Sequence, residues 1–235
     1  MPAKNKIREM FDSIAADYDK LNHLLSLDVD KSWRRKALSV ILDEAKDLSV
    51  LDLACGTGDF AIAIAKAHPG THVTGVDLSE GMLAVMKDKV KALGLEGRIS
   101  MEAGDGENLR FDDNSFDRVT NAFGIRNFEN RERGLREALR VLKPGGRLVI
   151  LELSRPESRV LRWFYDLYFL NILPKIGGKV SGDKAAYAYL PASVKNFPGR
   201  KEFCKMMRDA GFEGVAHKSF TFGICRMYSG DKPLR

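Results

Sequence analysis

The chain has 235 residues, 44% hydrophobic and 30% charged, with a net charge of +6, a balance that fits one large α/β domain with a substantial core. No internal repeat, low-complexity tract or long linker interrupts it. Its greasiest segment, 161–176, is broken by Arg162, Asp166, Asn171 and Pro174, which excludes a membrane-spanning helix.

The charge is uneven. Residues 155–235 carry 15 basic and seven acidic side chains, whereas 47–154 carry 14 and 17. A basic face in the last third suits nucleic acid, anionic lipid or an acidic substrate, or is simply solvated. Cys55, Cys204 and Cys225 are odd in number and lack metal-ligand spacing. With no apolar secretory core at the N-terminus, a reducing cytoplasm is expected. Cys55 reads as a small residue tolerated by a tight turn, since no neighbouring His supports a nucleophile.

The spacing predicts helices over 7–16 and 31–45, flanking a polar stretch at 17–30. Together, residues 1–46 form a plausible cover over a site. A βα alternation then begins. Residues 48–53 are a nearly continuous apolar run, as in a strand buried on both faces of a parallel sheet. Phe60, Ala61, Ile64 and Ala65 make the inner stripe of the next helix, and 72–76 is the second strand. Ser79 can cap a helix whose Met82, Met86, Val90 and Leu93 fall at helical spacing, with Gly94 ending it.

A third strand is predicted over 98–103 and a fourth over 116–121. Leu135, Ala138, Leu139 and Leu142 mark a helix face. Lys143–Gly146 reads as a turn and 147–153 as a fifth strand. Beyond it, 161–176 is an aromatic-rich helical stretch and 177–190 reads as loop. Residues 200–210 form a helix with Phe203, Met206 and Met207 inward, and 213–220 with 222–228 make a hairpin. The expected fold is a doubly wound, mostly parallel seven-stranded sheet with an antiparallel C-terminal hairpin strand. The expected organisation is one domain: 1–46 as cover, 47–154 as cofactor core, and 155–235 as the acceptor-binding part.

The most informative stretch is Leu51-Asp-Leu-Ala-Cys-Gly56-Thr-Gly58, completed by Gly75-Val-Asp77. A strand runs into a glycine turn, and a second strand ends in a carboxylate placed to accept from ribose hydroxyls. The turn alone is compatible with NAD. Asp52 argues against NAD, because a carboxylate inside the pocket would repel a pyrophosphate and welcome a sulfonium cofactor with an amino-acid tail. Asp105, after the third strand, can accept from an adenine amino group. The terminal hairpin is foreign to a plain dinucleotide fold.

These residues resemble class I S-adenosylmethionine-dependent methyltransferases, with Ala54 where many carry the first glycine. The resemblance narrows to the menaquinone/ubiquinone biosynthesis C-methyltransferases. It rests on Arg140–Ser154, Phe123-Gly-Ile-Arg126-Asn127, Tyr18-Asp19-Lys-Leu-Asn22…Ser26…Trp33, Tyr189-Leu-Pro-Ala-Ser193…Phe197-Pro198, and Gly223…Tyr228…Gly230. Two departures are Leu21 for Met and Asp30 where the family has His.

The resemblance implies S-adenosylmethionine held by Asp52, Gly56, Thr57, Gly58, Asp77, Leu78, Met82, Asp105, Gly106, Asn121 and Ala122, with no metal. It implies C-methylation of a polyprenylated quinol, with demethylmenaquinol favoured and the ubiquinone-pathway benzoquinol as the alternative. A ring carbon is a poor nucleophile until an adjacent hydroxyl loses its proton. Arg126 is therefore the candidate for stabilising the oxyanion and Asn127 for orienting water or a ring oxygen. His23 is a candidate base, and Tyr18 a ring contact. An alternative for Arg126 is pairing with Glu129 or Glu152.

Trp163, Phe164, Tyr165, Tyr168, Phe169 and Ile172 offer a wall for the isoprenoid tail. With the basic excess, they also suit a peripheral seat on an anionic membrane, plain core, or a homodimer contact. Competing classes are an NAD-dependent oxidoreductase and a non-catalytic RNA-binding relative. Nucleic acid is not expected, because no recognition module is present.

Overall fold

In the computed structural model, residues 4–26, 28–42, 47–167 and 184–235 are described. Three helices precede the sheet: α1 (Lys4–Ile14), α2 (Tyr18–Ser26) and α3 (Val29–Ile41). The core follows as β1 (Ser49–Leu53), α4 (Asp59–Ala67), β2 (His72–Asp77), α5 (Glu80–Ala92), β3 (Ile99–Ala103) and β4 (Phe116–Ala122). A short 3-10 turn (Ile125–Asn127) then leads to α6 (Arg131–Val141) and β5 (Leu142–Leu153). The last third holds α7 (Arg159–Leu167), α8 (Lys184–Lys195), α9 (Arg200–Asp209), β6 (Glu213–Phe220) and β7 (Cys225–Asp231).

The seven strands lie in the order β3-β2-β1-β4-β5-β7-β6, and β7 runs antiparallel to both β5 and β6. Successive side chains of a strand face opposite sides of the sheet, and the two cores show it. Val50, Val149, Leu151 and Met227 join α3, α4 and α5 on one face. Leu51, Leu148, Ile150 and Tyr228 join α6 and α9 on the other. The chain winds outward in opposite directions from β1 and β4, so a crevice opens at their carboxyl ends, the topological switch point where ligands bind in such sheets.

The structure differs from the sequence expectation at three places. The polar stretch 17–30 contains α2 (Tyr18–Ser26), from which Asp19 bonds to Thr57 and Lys89 while Tyr18 packs against Phe11. Lys143–Gly146 is a bulge inside β5: Phe116 pairs with Leu142 and Arg118 with Arg147. Gly145, at φ 74°, keeps its N–H bonded to Lys232 O at 3.0 Å. The predicted loop 177–190 overlaps α8, which runs on through Pro191. Of the aromatic wall, Trp163 is exposed, while Tyr165 is buried with Ile14, Met82 and Val194. The side chain of Phe164, and Tyr168, Phe169 and Ile172, lie outside the described residues. No helix among the described residues is long and apolar enough to cross a membrane.

Candidate functional site

A cleft lies at the switch point, lined from the cover, the turn after β1 and the ends of β2 and β4. Asp52, Gly56, Thr57, Asp77, Leu78, Met82, Asp105, Gly106, Ala122, Tyr18 and Asn127 all line it. Thus 11 of the 15 residues singled out from the sequence meet around one space.

The floor is the turn after β1. Ala54 (φ 49°), Gly56 (φ 56°) and Gly58 (φ 81°) all adopt left-handed backbone. Glycine takes this conformation without steric cost, which explains why Ala54 replaces a glycine only at the expense of strain. A Cβ on Gly56 would meet nothing within 4 Å, so its face opens onto the cleft. Gly58 differs: a Cβ there would sit 2.4 Å from Met86 Cγ. Gly58 stands outside the lining and lets α4 start tight against α5.

Asp77 ends β2 and braces the turn. Its Oδ2 accepts from Gly56 N at 2.8 Å and its Oδ1 from Ser79 N at 2.9 Å. Burial raises its pKa, opposed by these N–H donors. The remaining lone pairs face the cleft, where ribose hydroxyls can donate. Ser79 caps α5, accepting from Met82 N at 3.0 Å.

Asp52 is 1% exposed. Thr120 Oγ1 donates to its Oδ1 at 2.7 Å, while its Oδ2 is shielded from solvent and has no partner among the described residues. Burial pushes its pKa up to about 7; the Thr120 hydroxyl, the Arg34 charge and the Ala61 N–H at the start of α4 oppose this, and the Asp77 charge adds to it. An orphaned acceptor on a buried carboxylate is costly unless a cation arrives to meet it. The residues present therefore fit S-adenosylmethionine, whose amino-acid end carries an ammonium beside a sulfonium.

At the opposite wall, Asp105 Oδ2 accepts from Lys4 Nζ at 2.7 Å and its Oδ1 from Glu107 N at 2.9 Å. Gly106 packs beneath Phe128, which a Cβ would approach to 2.7 Å. Asn121 does not line the cleft. Its Nδ2 donates to Leu53 O at 2.7 Å and its Oδ1 accepts from Ile125 N at 2.9 Å, splicing the ends of β1 and β4.

The cover closes on this floor through polar contacts. Asp12 Oδ1 accepts from Ser79 Oγ at 2.5 Å and Gly81 N at 3.0 Å. Asp19 accepts from the Thr57 hydroxyl and from Lys89 Nζ, the latter at 2.7 Å. His23 lies outside the lining, with Nδ1 3.0 Å from Asp30 and Nε2 3.3 Å from Asp59. These three could geometrically hold a metal ion, but Arg34 and Lys89 already face the two carboxylates.

Tyr18 and Asn127 reach the cleft from the cover and from the 3-10 turn. Burial raises the Tyr18 phenol, with the charge of Arg126 opposing. Arg126 itself is 5% exposed and stands behind the lining. Its Nη1 donates to Glu152 Oε1 at 2.9 Å, its backbone N to Glu152 Oε2 at 3.0 Å, and its Nε to Ser193 Oγ at 3.3 Å. The pairing with Glu152 is present, within the core rather than at the surface. Burial alone would lower the Arg126 pKa, but Glu152 and Tyr18 hold it above its ordinary value.

Sequence reading passed over three residues: Lys4 and Arg34 line the cleft, and Asp12 caps α5 from the cover. Tyr189, read only as part of a motif, donates to Asn127 Oδ1 at 2.9 Å. Only Arg34 left a local trace, an Asp at i−4 on the same helix.

Comparison with known proteins adds a second, independent line. The chain is 50% identical over 231 residues to the ubiquinone/menaquinone biosynthesis C-methyltransferase UbiE of Geobacter sulfurreducens, covering 98% of this chain and 90% of that one. It is 46% identical to the demethylmenaquinone methyltransferase of Thermus thermophilus, covering 95% and 100%. In fold it is similar to the [4+2]-cyclase SpnF, with a TM-score of 0.74 at 18% identity, covering 100% and 98%. That sheet supports more than one chemistry, so fold alone does not fix activity. The model of the ubiE/COQ5 methyltransferase family matches residues 2–232, from the cover to the final strand, and the chain belongs to that family.

Proposed function

We propose that this protein is an S-adenosylmethionine-dependent C-methyltransferase that converts demethylmenaquinol to menaquinol. The observation that carries the reading is the buried, half-satisfied Asp52 beside an adenosine-type floor, in a chain of this family. The cofactor supplies an electrophilic methyl on a sulfonium. Asp52 and Asp77 hold its amino-acid and ribose ends, Thr57 and Gly56 bring backbone close to it, and Asp105 meets the adenine edge.

In this reading the acceptor enters beside Tyr18 and Asn127, which line the cleft and whose phenol and amide would bind a ring oxygen as its proton leaves. Arg126 supports the developing anion through its charge, since its Nη1 and Nε are engaged by Glu152 and Ser193. His23 holds the cover to α3 and α4 in this reading. The chain works as one methyltransferase domain: cover at 1–46, cofactor core at 47–154 and acceptor part at 155–235.

The benzoquinol of the ubiquinone pathway is the second acceptor, favoured by the double name that the Geobacter and Geotalea relatives carry. Purified protein incubated with S-adenosylmethionine and each reduced precursor, read by mass spectrometry, decides between them. Methyl added to neither quinol would end the proposal.

The isoprenoid tail calls for an apolar seat, which α7 supports. Val160 and Trp163 are 67% and 62% exposed, and Arg159 and Arg162 lie on the same short helix, a pattern suited to an anionic membrane surface. Co-sedimentation with anionic but not neutral liposomes is expected. A dimer in solution with no lipid binding would assign that face to a second copy instead.

A further inference from the structure

Glycine turn, Asp77 and Asp105 account for the adenosine half of the site, but the cleft continues to Arg34 on α3. The Arg34 side chain is 14% exposed. Its Nη1 donates to the carboxylate of Asp30, and its Cζ stands 5.4 Å from the centre of the Phe123 ring. Two contacts thus fix the plane of the guanidinium. Its Nε is shielded from solvent and has no hydrogen-bond partner among the described residues. A guanidinium offers five donors, and one left unpaired away from water is unfavourable.

Asp52 mirrors this arrangement with opposite charge. Its Oδ2 is a buried acceptor without a partner, on the lining of the same cleft, and the two groups are near enough that the Arg34 charge acts on Asp52. They do not pair with each other. An unsatisfied cationic donor and an unsatisfied anionic acceptor, held apart in one cavity, are complementary to a zwitterion bearing both a carboxylate and an ammonium.

We infer that Arg34 binds the carboxylate of the methionine moiety of S-adenosylmethionine, opposite the ammonium at Asp52, and that Asp30 is the positioning residue that aims Arg34. Asp30 is built for that task. It is 4% exposed and one helical turn from Arg34, and it also accepts from Ser26 Oγ at 2.6 Å and faces His23 Nδ1 at 3.0 Å. A carboxylate at this position pairs with a guanidinium as a histidine would not.

The inference rests on the cofactor reading, and titration calorimetry with two ligands separates the two. Decarboxylated S-adenosylmethionine keeps the adenosine, sulfonium and ammonium and lacks only the carboxylate. Wild-type protein should bind S-adenosylmethionine roughly 10- to 100-fold more tightly than the decarboxylated form, as for a charge-assisted hydrogen bond. Arg34→Gln should erase that preference, weakening S-adenosylmethionine while leaving the decarboxylated ligand unchanged. Asp30→Asn should reduce it by a smaller factor.

Equal affinity of the wild type for both ligands would overturn the role of Arg34, whatever the variants do. So would an Arg34→Gln protein that loses both ligands equally, since that marks a purely structural pair with Asp30. Wild-type protein that binds neither sulfonium would sink the cofactor reading, and the inference with it.

Discussion

Replacing Asp52 with Asn should stabilise the ligand-free protein while weakening its hold on the cofactor. The carboxyl is 1% exposed, and burial raises its pKa from 3.8 to about 7. The folded state therefore binds this proton more tightly than the unfolded chain does. Stability is lost as pH climbs from about 4 to about 7, and the loss is complete above the folded value. At 1.36 kcal/mol per pH unit, the span amounts to about 4 kcal/mol. Asn keeps the shape and the contact with Thr120 without the ionisation.

Urea denaturation should therefore find Asp52→Asn more stable than wild type by up to about 4 kcal/mol at pH 8, with the difference shrinking to under about 1 kcal/mol at pH 4. Calorimetry on the same proteins supplies the functional half. Wild-type affinity for S-adenosylmethionine should fall as pH drops below about 7 and Asp52 takes up its proton, whereas the variant should bind weakly at every pH. A variant no more stable than wild type at pH 8, or a difference that ignores pH, would refute the account of Asp52 as a carboxylate held in strain for a cation.

Three other substitutions probe the supporting frame. Glu152→Gln leaves the Arg126 charge buried without its counter-ion, and a loss of about 3–5 kcal/mol in denaturation is expected. Arg126→Ala should stop turnover and leave cofactor affinity near wild type; an equal fall in both would remove Arg126 from the acceptor side. Gly58→Ala forces a Cβ to within 2.4 Å of Met86 Cγ at φ 81°, at a cost of about 2–4 kcal/mol. Partial rescue by adding Met86→Ala would confirm packing, rather than cofactor contact, as the reason for that glycine.

The sheet was legible because its signals are local. Continuous apolar runs, one helical stripe after each strand and a glycine turn ahead of a carboxylate are read within a few residues. The floor of the site came with it, since Asp52, Gly56 and Asp77 belong to those same segments. What escaped were features that exist only across the fold. Helix α2 hid behind its polarity: Asp19 and His23 look solvent-facing in sequence, yet they face Thr57, Lys89, Asp30 and Asp59. Helix α8 hid behind Pro191, which disfavours a helix interior locally and is overridden where Tyr189 and Ser193 dock on the 3-10 turn. Arg126 was visible as a charged residue at the sheet edge. Its burial against Glu152, which is 26 residues away, was not, because strand pairing decides it. Arg34 was missed because a charged pair at i,i+4 ordinarily marks a solvated helix face.

Transfer of a labelled methyl group from S-adenosylmethionine to chemically reduced demethylmenaquinone, followed in the organic extract, is the most direct measurement. Label appearing on the ring of the quinol, at a rate that rises with protein and stops with Asp52→Asn or Arg126→Ala, is the predicted result. Protein that binds S-adenosylmethionine yet leaves the quinol unlabelled would contradict it.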